Sequence, residues 1–350
     1  IYVGFGSTGA LTALFVGLSA AVLAIVAQAV VRVAQRALHS AALVGFAVAA
    51  FAALVLFGVP FPAVVIGAGL AGWALARVAP ASVAIPSRPR EGDGPAPVVP
   101  DDALHTDRPS LRRATTILGL GLVAWGLPLL AVVLATGTDS VFTEQGLFFS
   151  GAALVTFGGA YAVLAYVAQQ AVETYGWLGP GEMVRGLALA ETTPGPLIMV
   201  VQFVAFLGAY RDPGGLDPWL AALLAALLTT WVTFVPCFVF VFLGAPYVER
   251  LRGNAALSAA LAGITASIVG VIASLAVYFS MNTLFAATER HDLGPLTVEL
   301  PDVTTLQPVA LGITAVALLL IFRLRWSVLR TLGACAALGL VVEGSRLLVS

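Results

Sequence analysis

The sequence predicts an all-α polytopic membrane protein, an inverted-repeat helical bundle with broken helices and about ten spans. The first reason is composition, because 60% of the 350 residues are hydrophobic and only 10% are charged. A soluble domain has roughly 25% charged residues, so most of this chain cannot face water. The second reason is a mean hydropathy of +1.00. The third is the grouping of apolar residues into stretches long enough to cross a bilayer.

The apolar stretches are predicted to be helices. A hydrocarbon core of about 30 Å requires roughly 20 apolar residues per helix. Open strands would leave their backbone groups without hydrogen bonds in lipid, which excludes them as spans. By this measure the ten spans lie near residues 11–34, 41–58, 60–79, 114–136, 147–169, 183–209, 218–247, 254–281, 304–322 and 326–345.

One charged segment divides the chain. Residues 80–113 are rich in proline, glycine and charge, which predicts a flexible cytoplasmic linker. Residues 1–79 then form the C-terminal part of a first membrane repeat. Residues 114–136 form a connecting transmembrane helix, and residues 137–350 form a second membrane repeat.

The arginines orient the spans. Cytoplasmic loops of membrane proteins carry an excess of positive charge. The loops at 137–144 and 286–303 are acidic instead. Strict alternation of the ten spans places the following arginine clusters on one side, which we assign to the cytoplasm: Arg32 and Arg36, Arg77, Arg112 and Arg113, Arg250 and Arg252, and Arg323 and Arg325.

An internal repeat is visible in the first and eighth spans. Thr12 to Val31 resembles Ser258 to Val277, with Gly17 aligned to Gly263, and two further spans follow each copy. The arginine rule makes the two copies run in opposite directions. Inverted repeats with interrupted helices are typical of secondary transporters. We therefore expect a counterpart of residues 141–246 ahead of Ile1, so that this chain would be the tail of one repeat followed by a complete second repeat.

Two motifs lie in the second repeat. Phe157-Gly158-Gly159 interrupts one apolar run, and Thr193-Pro194-Gly195-Pro196 interrupts the next, with Trp177 between them. This ordered set over residues 141–285 resembles the chromate ion transporter family of the two-repeat type. The resemblance implies a secondary active transporter that exports chromate, and also sulfate, across the bacterial inner (plasma) membrane as a multi-pass protein. It implies no cofactor.

The second motif also predicts a break in the helix, from the physical properties of proline alone. Pro194 and Pro196 lack a backbone N–H and clash with the preceding turn, so the helix cannot continue through them. Pro196 is well suited to the first position of a new helix. The N–H groups from Leu197 to Met199 would then point into the break, where a helix N-terminus binds oxyanions. A tetrahedral dianion needs several such donors, and we expect a second broken helix from the missing counterpart to supply the rest.

Single residues near the motifs have alternative roles. Arg185 could balance substrate charge, pair with Glu182 or Glu191, or lie at the cytoplasmic interface. Glu191 could bind substrate or a coupling proton, or act as a cap or as a partner of Arg185. Thr192 and Thr193 could contact the anion or bond back to the previous turn, and Gln202 could line the path or join two helices. The candidate substrate-binding residues are Phe157, Gly158, Gly159, Arg185, Glu191, Thr192, Thr193, Pro194, Gly195, Pro196, Leu197 and Gln202.

Other functional classes find little support. A net charge of −1 leaves no footprint for nucleic acid, and three scattered histidines have no metal-ligand spacing. An intramembrane enzyme would need an acidic partner for Glu191 or a nucleophile with a base. The alternatives that remain are transport of a different small anion and a non-catalytic membrane subunit. The expected partners are chromate or sulfate, a coupling proton or counter-ion, and membrane lipid; the chain could also form a homodimer.

Overall fold

The computed structural model describes residues 8–83, 110–156, 159–179, 181–193, 197–247, 254–293 and 296–349. Most of the predicted linker, residues 84–109, lies outside these ranges, as do five motif residues: Phe157, Gly158, Pro194, Gly195 and Pro196. Of the remaining linker, Pro80–Val83 is one helical turn, and Leu111 already begins the next long helix.

The described residues are almost entirely helical, which confirms the all-α polytopic membrane class. Five helices are long and apolar enough to cross a bilayer, and five shorter apolar helices accompany them in the described part of the chain. The helices are α1 Gly9–Ala37, α2 Ala41–Val55, α3 Phe61–Val78, α4 Pro80–Val83, α5 Leu111–Thr136, α6 Val141–Val155, α7 Ala160–Gln169, α8 Glu182–Thr192, α9 Val200–Arg211, α10 Pro218–Gly244, α11 Ala255–Leu284, α12 Pro308–Leu318 and α13 Val328–Val349.

Short irregular turns extend three of the helices near the candidate site or its surroundings. A π-helical turn, Gln170–Thr174, continues α7, and another, Leu319–Arg323, continues α12. A 3-10 turn, Leu197–Met199, leads into α9. Polar caps begin two of the long helices, α10 and α11: at α10 the carboxylate of Asp217 accepts hydrogen bonds from the N–H groups of Trp219 and Leu220 at 3.0 and 3.1 Å. Such caps satisfy N–H groups that have no partner within the helix.

The two copies of the repeat interlock at the centre of the bundle. Helix α1 packs against α12 and α13, while α11 packs against α2 and α3. The beginning of α1, at Ser19, and the end of α11, at Thr283, line the same cavity, so the two helices run antiparallel. An antiparallel pair at the centre is the arrangement that an inverted repeat requires.

Small residues occupy equivalent positions in two helix interfaces, that of α1 with α13 and that of α11 with α3. A Cβ added at Gly17 would lie 2.0 Å from the carbonyl oxygen of Cys335, and one at Gly263 would lie 2.5 Å from that of Ala68. Four residues further along the partner helices, Gly339 faces Ala13 and Gly72 faces Ala259 in the same way. Since Ala13 precedes Gly17 by the same spacing as Ala259 precedes Gly263, this packing supports the alignment of Gly17 with Gly263.

The prediction that residues 183–209 cross the membrane as one span is wrong. The guanidinium of Arg211, at the end of α9, forms a two-fold ion pair with the carboxylate of Glu182, at the start of α8, with both N–O distances 2.8 Å. In a continuous helix these residues, 29 positions apart, would be separated by about 44 Å. Helices α8 and α9 therefore form a hairpin, residues 182–211, which we call hairpin B.

The predicted span 147–169 is folded back in the same manner. The ring of Phe148 on α6 lies 5.3 Å from that of Tyr166 on α7 and 5.6 Å from that of Tyr175, as measured between centroids. Helices α6 and α7 thus form hairpin A, residues 141–174. Each hairpin enters and leaves on the same side, so neither of the predicted spans 147–169 and 183–209 crosses the membrane. Because two crossings are removed together, the arginines still predict the same side for the loops before hairpin A and after hairpin B.

The acidic loop after α11 contains the one pair of strands among the described residues. Strands β1, Thr288–Leu293, and β2, Leu296–Pro301, form an antiparallel hairpin that sequence analysis did not predict. Asp302 follows β2, and hydrogen bonds from the hydroxyl and the N–H of Thr304 lower the pKa of this carboxyl group. The fold class remains all-α, because the two strands lie in the loop between α11 and α12 and are not part of any predicted span.

The hairpin fold makes a cross-linking prediction. In a protein carrying Cys237→Ala and Cys335→Ala, the pair Glu182→Cys and Arg211→Cys is expected to be joined by a short bismaleimide reagent, because their side chains meet at the mouth of hairpin B. Gel mobility after a protease cut between the two sites measures the link. The control pair, Glu182→Cys with Arg330→Cys, should stay unlinked. Failure of the first pair to link, with both cysteines labelled singly, would contradict the hairpin.

Candidate functional site

The tips of the two hairpins meet inside the bundle. Tyr161, in the first turn of α7, donates a hydrogen bond from its hydroxyl to Oε1 of Glu191, near the end of α8. The mouths are joined as well, because the Gln145 side-chain amide of hairpin A donates to the carbonyl of Ala205 in hairpin B at 3.2 Å. The described residues that flank the two motifs, Thr156, Gly159, Thr193 and Leu197, are therefore brought into one region.

Two helix N-termini converge at the tips. Gly159 precedes α7 with a φ of +109°, a backbone conformation that glycine adopts readily and other residues rarely do. The 3-10 turn at Leu197 begins the helical segment that continues as α9. The first N–H groups of a helix have no partner within it, and they carry partial positive charge. Hairpin A thus supplies one helix N-terminus in addition to that of hairpin B, and the contribution expected from a counterpart segment stays a prediction.

A cavity of about 660 Å³ lies beside these N-termini, and we call it the tip cavity. Gly159, Leu197 and Ile198 line it from the tips, and α10 closes the other side. Its walls are mainly apolar. Thr233 of α10 also lines it, and the hydroxyl of this buried residue has no hydrogen-bond partner among the described residues. Attraction for an anion here would come mainly from backbone N–H groups rather than side-chain charges.

Glu191 is the acidic group nearest the tips. Its carboxylate is half-buried, accepts the hydrogen bond from Tyr161, and interacts attractively with Arg32 near the end of α1. Sequence analysis identified Glu191 but missed Tyr161 and Arg32 as its partners. The spacing of Tyr161 from the first motif, two residues after Gly159, is the signal that could have indicated its position at the tip.

Arg185 does not line the tip cavity. It lines a separate cavity together with Ser19, near the start of α1, whereas Arg32 is near the other end of that helix. Its predicted roles, as a counter-charge for the substrate, as a partner of Glu182 or Glu191, or at the cytoplasmic interface, stay predictions. Its neighbour Glu182 pairs with Arg211.

Thr192, Thr193 and Gln202 make contacts within the protein, which were the alternatives to contact with the substrate. The hydroxyls of Thr192 and Thr193 both donate to the carbonyl of Leu189, at 2.8 and 3.0 Å, which is the backbone alternative considered for them. Both side chains are also exposed. The amide of Gln202 donates to the hydroxyl of Thr230 on α10 at 2.5 Å, which joins two helices.

Trp177 holds the hairpin mouths together. Its ring stacks on that of Tyr175 at 4.3 Å between centroids and packs edge-on against Phe148 at 5.7 Å. Its carbonyl accepts a hydrogen bond from Arg211 at 3.1 Å. This tryptophan, which lies between the two motifs in sequence, thus fixes hairpin A against hairpin B. In the described part of the chain, no group of three or more histidine, cysteine or acidic residues could hold a metal ion.

Comparisons with known proteins identify the family to which the sequence is similar. A family model described as chromate transporter matches residues 143–340. The chain is 30% identical over 181 residues to a probable chromate transport protein of Synechococcus elongatus, covering 52% of this chain and 40% of that protein. It is 32% identical over 168 residues to a chromate transport protein of Pseudomonas aeruginosa, covering 47% of this chain and 36% of that protein.

A third relative is the chromate transport protein of Cupriavidus metallidurans, which is 27% identical over 158 residues, or 45% of this chain and 36% of that protein. The matches thus span between 36% and 40% of the length of these three relatives. No solved structure matches. Because the family model covers more than half of the chain, including both hairpins and the helices that follow them, the chain belongs to the chromate transporter family.

Proposed function

We propose that this chain is part of a secondary active transporter that exports chromate, and also sulfate, across the bacterial inner membrane. The curated relatives are named as chromate transport proteins, and the family assignment supports the same substrate. The observation that carries the proposal is the convergence of two helix N-termini, at Gly159 and Leu197, on the tip cavity. In this proposal residues 1–79 belong to the first repeat and residues 137–350 to the second.

Binding at the tips is argued from the sizes of the opposing energies. One helix N-terminus stabilises an anion by at most about 2 kcal/mol. Removal of an ion from water costs several kcal/mol even after the protein relaxes. Two N-termini and the positive charge of Arg32, which lies close enough to act on Glu191, reduce this deficit together. The substrate oxygens would accept hydrogen bonds from the first turn of α7 and from Leu197 to Met199.

Glu191 gives the proposal a coupling step. An ionised carboxylate near the tips repels a dianion, whereas its protonated form does not. Tyr161 and Arg32 hold this carboxyl group at the tip of hairpin B. We propose that Glu191 takes up a proton when the oxyanion binds and releases it on the opposite side. A counter-ion in place of the proton would act at the same carboxylate.

A different small anion is the second candidate substrate, and the walls of the tip cavity favour it. At about 660 Å³ the cavity falls within the range of ligand pockets, about 300–1,000 Å³, and Phe149, Phe234 and Phe240 line it. An organic anion with an apolar body could place its carboxylate at the helix N-termini and its body against these rings. A tetrahedral oxyanion would leave much of this space to water.

Transport measurements on the full-length protein containing this chain distinguish the two substrates. Proteoliposomes are expected to accumulate radioactive chromate when a pH gradient is imposed, and unlabelled sulfate should compete. Benzoate is the probe for the organic-anion alternative, and protein-free liposomes provide the background. Chromate flux equal to that background would overturn the proposal. Competition by benzoate but not by sulfate would replace chromate with an organic anion.

A further inference from the structure

The turn that joins α12 to α13 concentrates positive charge on the surface of the bundle. Arg323, Arg325 and Arg330 all lie in residues 323–330, which we call the arginine turn, and all three side chains are exposed. None of them forms an ion pair with a residue that the structure describes. The sequence has no aspartate or glutamate in residues 303–342, so this part of the chain supplies no compensating charge.

Exposed apolar side chains alternate with these arginines. Leu324, Trp326 and Leu329 are 53%, 40% and 60% exposed. Tryptophan is enriched where the hydrocarbon of a membrane meets its headgroups. Arginine can lay its apolar stem along hydrocarbon while its guanidinium reaches the headgroups. The arginine turn therefore has the composition of a segment at the membrane surface, in contact with both acyl chains and headgroups.

The backbone of the arginine turn has one unusual feature. Arg325 has a φ of +54°, and among the described residues it is the one non-glycine residue with a positive φ. The conformation belongs to the end of a helix, where the N–H of Trp326 bonds to the carbonyl of Leu320 at 3.0 Å. Glycine most often occupies such a position, because it has no Cβ to strain. The backbone thus gives no reason for an arginine here, which leaves its side chain to be explained.

We propose that the arginine turn binds the headgroup of an anionic phospholipid, in the leaflet on the side that the arginine clusters indicate to be cytoplasmic. A guanidinium matches phosphate oxygens with two parallel hydrogen bonds. The net negative charge of such a headgroup would balance arginines that have no ion-pair partner in the described part of the protein. In phosphatidylcholine the ammonium group offsets the phosphate, so its attraction is weaker.

The apolar side chains decide between a lipid and a free phosphate ion. Leu324, Trp326 and Leu329 would contact the acyl chains of a bound lipid, and a free ion has no group to place against them. The arginine turn shares no described residue with the lining of the tip cavity. The lipid site is therefore independent of the anion that the protein transports.

Lipid-dependent unfolding of the full-length protein containing this chain tests the site. In detergent, phosphatidylglycerol is expected to raise the unfolding temperature more than phosphatidylcholine at the same concentration. The triple variant with Arg323→Gln, Arg325→Gln and Arg330→Gln should lose this difference. Each single substitution should raise the phosphatidylglycerol concentration for half of the effect by about fivefold, the factor for one basic side chain beside an anionic surface.

Two changes at Arg325 separate its charge from its backbone. Arg325→Lys keeps a positive charge and should keep part of the difference between the two lipids. Arg325→Gly removes the charge but suits the positive φ. It should unfold at the same or a higher temperature without lipid, while its response to phosphatidylglycerol weakens. Arg112→Gln is the matched control, because Arg112 is exposed in the first turn of α5, which packs against α6 and α10; it should respond to both lipids as the wild type does.

Three outcomes would overturn the lipid site. The first is an equal effect of the two lipids on the wild type, and the second is a phosphatidylglycerol-specific rise that survives in the triple variant. The third is a rise with inorganic phosphate that matches the rise with phosphatidylglycerol and is lost in the triple variant, since this would identify a site for the free ion. Should the triple variant fail to fold, an Arg325→Gly protein that responds to phosphatidylglycerol as the wild type does would overturn the site. No transport is measured, so these outcomes are separate from those of the chromate experiments.

Discussion

Replacing Glu191 with glutamine is expected to reduce chromate transport by about tenfold to a hundredfold, since contacts to a charged group contribute about 1.5–3 kcal/mol. Glutamine has nearly the same volume, so the protein should still fold. It cannot exchange a proton, and it interacts less strongly with Arg32. A pH gradient that drives transport in the wild type should therefore fail to drive it in Glu191→Gln.

Two variants place this result in context. Tyr161→Phe removes the hydroxyl that donates to Glu191 but keeps the carboxylate, so a smaller loss is expected with the pH response retained. Glu289→Gln changes an exposed acidic side chain in β1 and should transport as wild type. Wild-type transport and pH response in Glu191→Gln would remove the coupling role from this residue. If instead the wild-type protein itself carried no chromate, the alternative of a non-catalytic membrane subunit would be favoured.

Gly72→Ala is expected to lower the stability of the bundle by about 1–3 kcal/mol or more, the range for overpacked cores. The added Cβ would lie 2.6 Å from the carbonyl oxygen of Ala259, a backbone atom that cannot turn aside. Gly17→Ala, the corresponding change at the other interface, should be at least as severe, because its Cβ would lie 2.0 Å from the carbonyl oxygen of Cys335.

Helix α3 provides its own control for the glycine prediction. A Cβ at Gly67 would meet no atom within 4 Å. Gly67→Ala should therefore be neutral, or stabilising by up to about 1 kcal/mol from helix propensity. The midpoint of unfolding in a detergent titration measures both variants. Equal midpoints for Gly72→Ala and Gly67→Ala would show that the helices approach less closely than the structure has them.

The alignment of Gly17 with Gly263 could be made from sequence because close backbone contact requires small residues. Helices that touch through their backbones require small residues at a spacing of four, which appear here as Ala13 with Gly17 and Ala259 with Gly263. Alignment of the two glycines therefore recovered positions that the packing makes equivalent. Hydropathy likewise sufficed for the fold class, since burial in lipid depends on composition over whole segments.

The hairpins could not be predicted from the sequence. A run of apolar residues with a break in the middle fits either a kinked helix that crosses the membrane or two helices that fold back on each other. The decision rests on contacts between distant residues, such as Arg211 with Glu182 and the ring of Phe203 over Gly186. The partners of Glu191 were missed for the same reason. Tyr161 lies 30 residues away in the chain, and Arg32 belongs to a different repeat.

The close backbone packing of α1 on α13 and of α11 on α3 also bears on the transport cycle that we propose. A rocking-bundle cycle would separate residues 1–79 from the second half of the chain, yet Gly17 of α1 lies against the carbonyl of Cys335 in α13, and Gly263 of α11 lies against that of Ala68 in α3. We therefore expect these helices to act as a stationary frame. In the proposed cycle, access to the two faces would then change through movement of the hairpins relative to this frame.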